Sequence, residues 1–386
     1  MGASTPATTS AITGDVSAWD PGVTRRRVLA QAAALGLVGT SLAACSSTDA
    51  EQEVARALRR TGIQAVEGRS GLMRELVRCA TLAPSSHNTQ CWRFRLQDRS
   101  ITVEPDLARR CPVVDPDDHH LFVSLGCAVE NMSHAARAHG LQATPRFDAQ
   151  GNGSVVVDLE PARATSSELF NAMAYRQCTR GDYDGKALSN EDLRQLEQAG
   201  TGNGVRVVLL TQRSAMETVL AHVISGNTAQ IRDPAFVEEL KLWIRFGADE
   251  AVRTGDGLFA GVSGNPSMPR WAGSRLMELV FTAQSENDRY ARQLRNSAGL
   301  ALFVSDTSDK AHWVEAGRCY ERFALQATAL GIRNAMLNQP VEVGSIRPAF
   351  AAAVGVTRGR VDLVVRFGRG SLMPWSMRRP VDAVIA

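Results

Sequence analysis

Ala83-Pro84-Ser85-Ser86-His87-Asn88-Thr89-Gln90-Cys91-Trp92 is the stretch from which the rest of this chain is most readily placed. A proline breaks it, and short hydroxyls and amides fill it. Upstream, Leu72, Leu76, Cys79, Ala80 and Ala83 recur at helical spacing, which predicts a helix over 71–82. Downstream, Trp92, Phe94 and Leu96 alternate as in a strand. A loop between two such elements presents hydrogen-bonding groups from a rigid base. That inventory suits a flat heteroaromatic ring with a carbonyl and amide edge. As a bare pattern it also reads as an ordinary turn into a strand.

With 386 residues the chain exceeds the roughly 250–300 at which one hydrophobic core stops growing, so two lobes or one core shared by two halves are expected. Hydrophobic content of 44% and charged content of 22% are those of a globular protein. The net charge is +3, and almost every basic residue is arginine, with Lys186, Lys241 and Lys310 as the lysines. Nothing in that balance argues for a nucleic-acid partner.

Residues 1–44 read as a disordered start followed by an export signal. Arg25-Arg26-Arg27 precedes a weakly apolar run from Val28 to Ala44, which ends Leu42-Ala43-Ala44-Cys45. The twin arginine resembles a Tat leader, and Leu-Ala-Ala-Cys resembles a lipoprotein box whose cysteine is lipidated. Lipidation at Cys45 would anchor the protein at the outer face of the cell membrane. The alternative for this segment is a buried, alanine-rich helix.

Residues 45–68 are expected to be a tether and a leading helix over 51–60. A first half over 69–163 follows, with strands at 92–96 and 101–104. Asp115-Pro116-Asp117-Asp118 signals a helix start, with the helix itself over 121–139. Gln150-Gly151-Asn152-Gly153 marks a hairpin. The second half, 164–386, opens with Arg176-Gln177-Cys178-Thr179-Arg180. It contains helices over 190–198, 214–231, 235–253 and 311–330, and strands over 205–210, 300–304 and 361–367. Residues 214–298 include a glycine- and proline-rich stretch, Gly255 to Pro269, that suits a covering loop. The fold class read from this order is α+β, a mixed sheet flanked by helices and built from two fused halves.

The loop resembles Pro-Ser-x-x-Asn-x-Gln-Pro-Trp of the nitroreductase-like flavoproteins. In that family a subunit begins with an Arg-Arg-Ser-x-Arg-x-Phe segment, and each FMN takes its arginines from one subunit and its loop from the other. Here the first half keeps the loop. The second half keeps the arginine segment, but has Ala199-Gly200-Thr201-Gly202-Asn203-Gly204 where its own loop would fall. Two complementary half-sites suggest a monomeric pseudo-dimer with one FMN site. The chain is most similar to the Acg-like subfamily, through Leu125-Gly126-Cys127-Ala128-Val129-Glu130-Asn131, Trp313-x-x-Ala316-Gly317, Asn338-Gln339-Pro340-Val341-Glu342 and Arg378-Arg379-Pro380-Val381.

The resemblance implies that Ser85, Ser86, Asn88, Gln90, Arg176, Thr179, Arg180, Asn338, Gln339 and Arg378 bind FMN, with Arg176, Arg180 and Arg378 around its phosphate. It implies an oxidoreductase acting on nitroaromatic or quinone acceptors, with NAD(P)H as donor, although export would remove the chain from that donor. No residue is assigned as acid, base or nucleophile. Cys91 stands where the family has proline, which places a thiol close to the expected flavin. Asp117-Asp118-His119-His120 is read as a helix cap and not as a metal site. Two alternatives remain from other classes: a lipoprotein that binds and sequesters FMN without turnover, and a flavin-free structural or solute-binding lipoprotein.

Overall fold

A computed structural model describes residues 1–2, 41–60 and 62–386, with backbone alone for 41–48. The arginine triplet and most of the apolar run of the expected leader lie outside the described residues. The chain divides into two compact units, Met1–Ser46 and Ser47–Ala386, and both sheets belong to the second. The stretch expected to be a tether is helical, in the helix Ser41–Leu58. Its Ala50, Glu51 and Gln52 are good helix formers, which explains the difference.

The first sheet contains β1 (Trp92–Leu96), β2 (Ser100–Pro105), β3 (Leu141–Asp148) and β4 (Ser154–Pro161), in the order β1-β2-β4-β3. The second half supplies β5 (Val205–Leu210), β6 (Ile244–Arg245), β7 (Leu258–Phe259), β8 (Gly299–Ser305), β9 (Arg333–Met336) and β10 (Arg360–Gly368). Its main sheet runs β5-β8-β10-β9, while β6 and β7 form a separate parallel pair. Both four-stranded sheets are antiparallel ladders, extended by single parallel bridges from Phe94 to Ile385 and from Cys178 to Asn334. The architecture is α+β.

Strand β8 shows why the second sheet is buried on both faces. Ala301 and Phe303 pack into the large core shared by both halves, where Tyr320 and Phe323 of the helix Lys310–Ala329 meet them. Leu300, Leu302 and Val304 point the other way, against Met216, Val219 and Val223 of the helix Arg213–Arg232. A strand covered on both faces reads as an unbroken apolar run, as 300–304 does.

The two central helices, His119–Ala138 and Lys310–Ala329, meet at paired glycines. A Cβ on Gly126 would fall 1.9 Å from the Val314 carbonyl oxygen, and one on Gly317 would fall 1.9 Å from that of Val123. The contact is reciprocal: each glycine faces the residue three before the other. Cys127 Sγ also reaches the Gly317 carbonyl, at 3.2 Å. Four residues after each glycine stands a buried glutamate, Glu130 and Glu321. Glu130 accepts from Arg318 Nε at 3.0 Å and Arg322 Nη1 at 3.1 Å, both on the opposite helix.

One expected helix is broken. In place of 235–253 there are Pro234–Trp243 and Ala248–Thr254, separated by β6. Arg245 causes the break, since its guanidinium is buried against Asp256 at 2.6 Å and an extended backbone aims it there. None of the six described cysteines is in a disulfide.

Because backbone lies against both glycines, Gly126→Ala should destabilise the protein by about 3 kcal/mol or more, the upper range for overpacking. Gly344→Ala, where a Cβ meets nothing within 4 Å, should change stability by less than about 0.5 kcal/mol. Urea midpoints of the two variants check this pair of outcomes.

Candidate functional site

The Ala83–Trp92 segment is a strained turn. His87, Asn88 and Gln90 all have positive φ (49°, 53° and 53°), a region that costs non-glycine residues roughly 1–3 kcal/mol each. Hydrogen bonds between its own side chains and distant elements hold it. Asn88 Nδ2 donates to the carbonyls of Gly257 (3.0 Å) and Met377 (3.2 Å), and its Oδ1 accepts from Arg378 Nη1 at 3.0 Å. Gln90 Nε2 donates to the Gly255 carbonyl at 2.8 Å, while its Oε1 accepts from the Arg379 N–H at 2.8 Å. The Gln90 N–H is in turn bonded to Ser85 Oγ at 2.8 Å. Asn88 and Gln90 therefore shape the turn and lie outside the cavity that it borders.

That cavity has a volume of about 390 Å³. Pro84, Ser85, Ser86 and His87 form one wall, and Asn338 and Gln339 another. Arg180 enters from the segment that opens the second half. Residues of the 214–298 region, among them Phe246, Leu258, Phe259, Met277 and Tyr290, close the apolar side. Leu258, Phe259 and Pro266 of the Gly255–Pro269 stretch are part of this lining.

Three arginines line the cavity, and two of them are occupied. Arg366 donates to the carbonyls of Thr179 (3.2 Å) and Gly181 (2.7 Å) and stacks on Tyr183. Arg289 pairs with Glu286. The half-buried Arg180 guanidinium makes no hydrogen bond or ion pair with any described residue. Gln339 is buried, and its Oε1 also lacks a partner among them.

The structure brings together Ser85, Ser86, Arg180, Asn338 and Gln339, but not the rest of the expected set. Thr179 is fully buried, with its hydroxyl on Gln177 Oε1 at 3.2 Å. Arg176 and Arg378 are buried outside the cavity wall, and their guanidiniums cap the end of the helix Gly68–Thr81. Arg176 Nη2 donates to the Leu82 carbonyl at 2.8 Å. Arg378 Nη2 donates to Leu82 and Ala83 at 3.1 and 3.2 Å. The last carbonyls of a helix have no partner within it and face its negative end, which is why cations collect there. Arg59, not expected from the sequence, is buried in the same cluster. Glu321 lies 3.2 Å from Arg176 Nε. Burial pushes its carboxyl up to about 7, against the opposing pull of Arg176 and Arg378.

Cys91 is not at the cavity either. It is buried in the core, where loss of solvent drives its thiol up to about 11. Cys127 and Cys178 are the thiols in the wall. The residue that the sequence reading missed is His120, which lines the cavity from the first turn of its helix. The helix-start signal itself was sound: Asp115 accepts from the N–H groups of His120 (3.1 Å) and Leu121 (3.0 Å). What that signal hid is the imidazole it leaves facing inward.

No family model matches the chain. Two Mycobacterium tuberculosis proteins that carry the provisional name NAD(P)H nitroreductase are similar to it. Rv3131 of strain H37Rv is 24% identical over 326 residues, 81% of this chain and 90% of its own. The acg protein of the same strain is 21% identical over 324 residues, 81% of this chain and 95% of its own. Among solved structures, a Desulfitobacterium hafniense nitroreductase with bound FMN aligns at a TM-score of 0.37 and 16% identity, covering 56% of this chain and 97% of its own. The FMN-dependent nitroreductase NfnB of Mycobacterium smegmatis, in complex with NADPH, aligns at 0.33 and 14% identity, covering 53% and 88%.

Arg176→Ala leaves Glu321 buried without its ion pair, so it should cost about 3–5 kcal/mol of stability. Arg180→Ala removes no such bond and should cost less than about 0.5 kcal/mol. Buried Glu321 and Asp362 both titrate near 7 in the folded chain, above the roughly 4 of unfolded carboxyls. These carboxyls therefore add stability as pH falls from 7 to about 5, while His119, the partner of Asp362, and His87, both held below the ordinary imidazole value by burial, remove it over the same range. Asp115 and Glu130 act in the opposite sense, each held near 2 because hydrogen bonds and neighbouring cations outweigh burial. Their contribution is lost as pH drops below about 4 towards 2, so urea midpoints should fall across that range.

Proposed function

We propose that the chain is an FMN-dependent oxidoreductase that reduces small flat acceptors of the quinone or nitroaromatic class. The observation that carries this reading is the free Arg180 guanidinium in a cavity that also presents the hydroxyls of Ser85 and Ser86 and the amides of Asn338 and Gln339. A volume of about 390 Å³ is within the ~300–1,000 Å³ of small-molecule sites. The residues suit the group. Arg180 offers a permanent cation to its phosphate or its carbonyl edge, Ser85 and Ser86 offer hydroxyls, and Asn338 and Gln339 offer amides. The apolar cover from the 214–298 region accommodates a ring face. The bound group would supply two-electron chemistry, and the protein orients it and excludes water. The similarity to relatives named as NAD(P)H nitroreductases supports the same reading.

The site draws on both halves, which agrees with a fused pseudo-dimer holding one cofactor. The loop comes from the first half, and Arg180, Asn338 and Gln339 come from the second. The second half's counterpart loop, 199–204, packs against His312, Glu315 and Cys319, away from the lining of this cavity. We further propose that Arg25-Arg26-Arg27 and Leu42-Ala43-Ala44-Cys45 direct export by the Tat route and lipid anchoring. An exported chain would meet little pyridine nucleotide, so its donor would be a membrane quinol. The apolar cover over the cavity also favours a second reading, an FMN-sequestering lipoprotein without turnover.

Titrated by flavin fluorescence, Arg180→Ala should bind FMN more weakly by about 1.5–3 kcal/mol, the worth of a charged hydrogen bond. Unchanged affinity would remove Arg180 from the site. Anaerobic mixing of the loaded protein with NAD(P)H or with a reduced quinone separates the two readings: bleaching of the flavin by either supports an enzyme, and bleaching by neither supports sequestration. Cys45→Ala should move the protein from membranes to the soluble fraction, and continued attachment would refute lipidation there.

A further inference from the structure

His120 is a buried imidazole in the cavity wall, and the partners of both ring nitrogens can be identified. Nδ1 lies 3.6 Å from Asp115 Oδ1, on a carboxylate already fixed by two main-chain N–H groups. Nε2 lies 3.3 Å from Asn338 Nδ2. Asn338 Oδ1 accepts from the Val364 N–H at 3.0 Å, so the amide turns its NH₂ to the imidazole. An NH₂ group only donates. In the neutral ring Nε2 is therefore the acceptor, and the ring proton sits on Nδ1, facing Asp115. Protonation at Nε2 breaks the Asn338 contact and leaves an N–H available to whatever occupies the cavity.

We propose that His120 is the proton carrier of this cavity, delivering a proton from Nε2 to the oxygen of a quinone-type acceptor bound there. The proposal rests on the flavin reading above, which supplies the reductant. A quinone becomes a hydroquinone by gaining one hydride equivalent and one proton. The hydride equivalent comes from reduced flavin. For the proton, the Nε2–H bond of His120 breaks, an O–H bond forms on the acceptor, and the imidazole is left neutral with its Asn338 contact restored. Solvent recharges it.

The charges around the ring suit a group that alternates between two states. Asp115, from the preceding turn, and Glu342, from the helix Gln339–Glu342, favour the imidazolium. Burial opposes it, and so does Arg360 on β10, while His119 beside it and His87 across the loop are themselves held below the ordinary imidazole value by burial and by the charge of His120. The adjacent Asp115 carboxylate outweighs burial, and the His120 pKa rises above its ordinary value. His119 is engaged elsewhere, with Nε2 on Asp362 Oδ1 at 2.9 Å.

His120→Gln keeps an amide at the position but cannot carry a proton. Two measurements test the proposal on the full chain. The first needs no flavin: the imidazole Cε1–H resonance that disappears in His120→Gln should titrate above pH 6.5 in the wild type, and should move to lower pH in Asp115→Asn. The second uses protein loaded with FMN and reduced by light, mixed anaerobically with p-benzoquinone. Reoxidation should fall with rising pH through one ionisation in the wild type. In His120→Gln it should be about 100-fold slower near neutrality and flat with pH, with FMN affinity kept.

An imidazole that does not titrate between pH 5 and 9 overturns the proposal. So does a variant that retains the wild-type rate and profile. So does stoichiometric zinc on Asp115, His119 and His120, whose donor atoms lie within 4.8 Å of one another. A wild type that takes up no FMN overturns the flavin reading instead, and that outcome is seen before the variant is made.

Discussion

The approach of Gly126 and Gly317 sets the distance at which the two halves meet, and the site depends on that distance. A side chain on either residue would occupy the space of a carbonyl on the other helix. With hydrogens there, the two helices lie backbone to backbone, and Glu130 reaches the arginines across the seam. The same approach brings the end of the helix Gly68–Thr81 within reach of Arg176 and Arg378, whose guanidiniums bind the carbonyls of Leu82 and Ala83 just beyond it. The strained turn over 84–90 follows directly from that capped end.

Strain in the turn is local, and what offsets it is not. Asn88 and Gln90 are fixed by Gly255, Gly257, Met377 and Arg379, residues more than 160 positions away in the chain. Two of the carbonyls that receive them, those of Gly255 and Gly257, come from the same stretch that covers the cavity. One set of hydrogen bonds therefore joins the polar wall to its apolar cover. The free groups, Arg180 and Gln339 Oε1, remain where a ligand would meet them.

Much of the fold was legible because its signals are local. Strands at 205–210, 300–304 and 361–367, the hairpin at 150–153 and the long helix ending at Gly331 follow from periodicity and turn chemistry, and the structure contains them. The site was legible only in part. A loop motif identifies residues that matter but not which way each side chain faces: Ser85 and Ser86 face the cavity, while Asn88 and Gln90 face away from it. Arg176 and Arg180 stand four apart in one segment, yet one caps a helix and the other is free, because helix carbonyls compete for cations. Cys91 drew attention as an irregularity and lies in the core. His120 was concealed by the helix cap that positions it.

The central claim is a single composite flavin site, built from one loop and one arginine segment. The visible absorption spectrum of the purified chain, reconstituted with FMN and freed of excess, measures it most directly through the ratio of flavin to protein. The account predicts one FMN per chain. A colourless protein, or two flavins per chain, would contradict it.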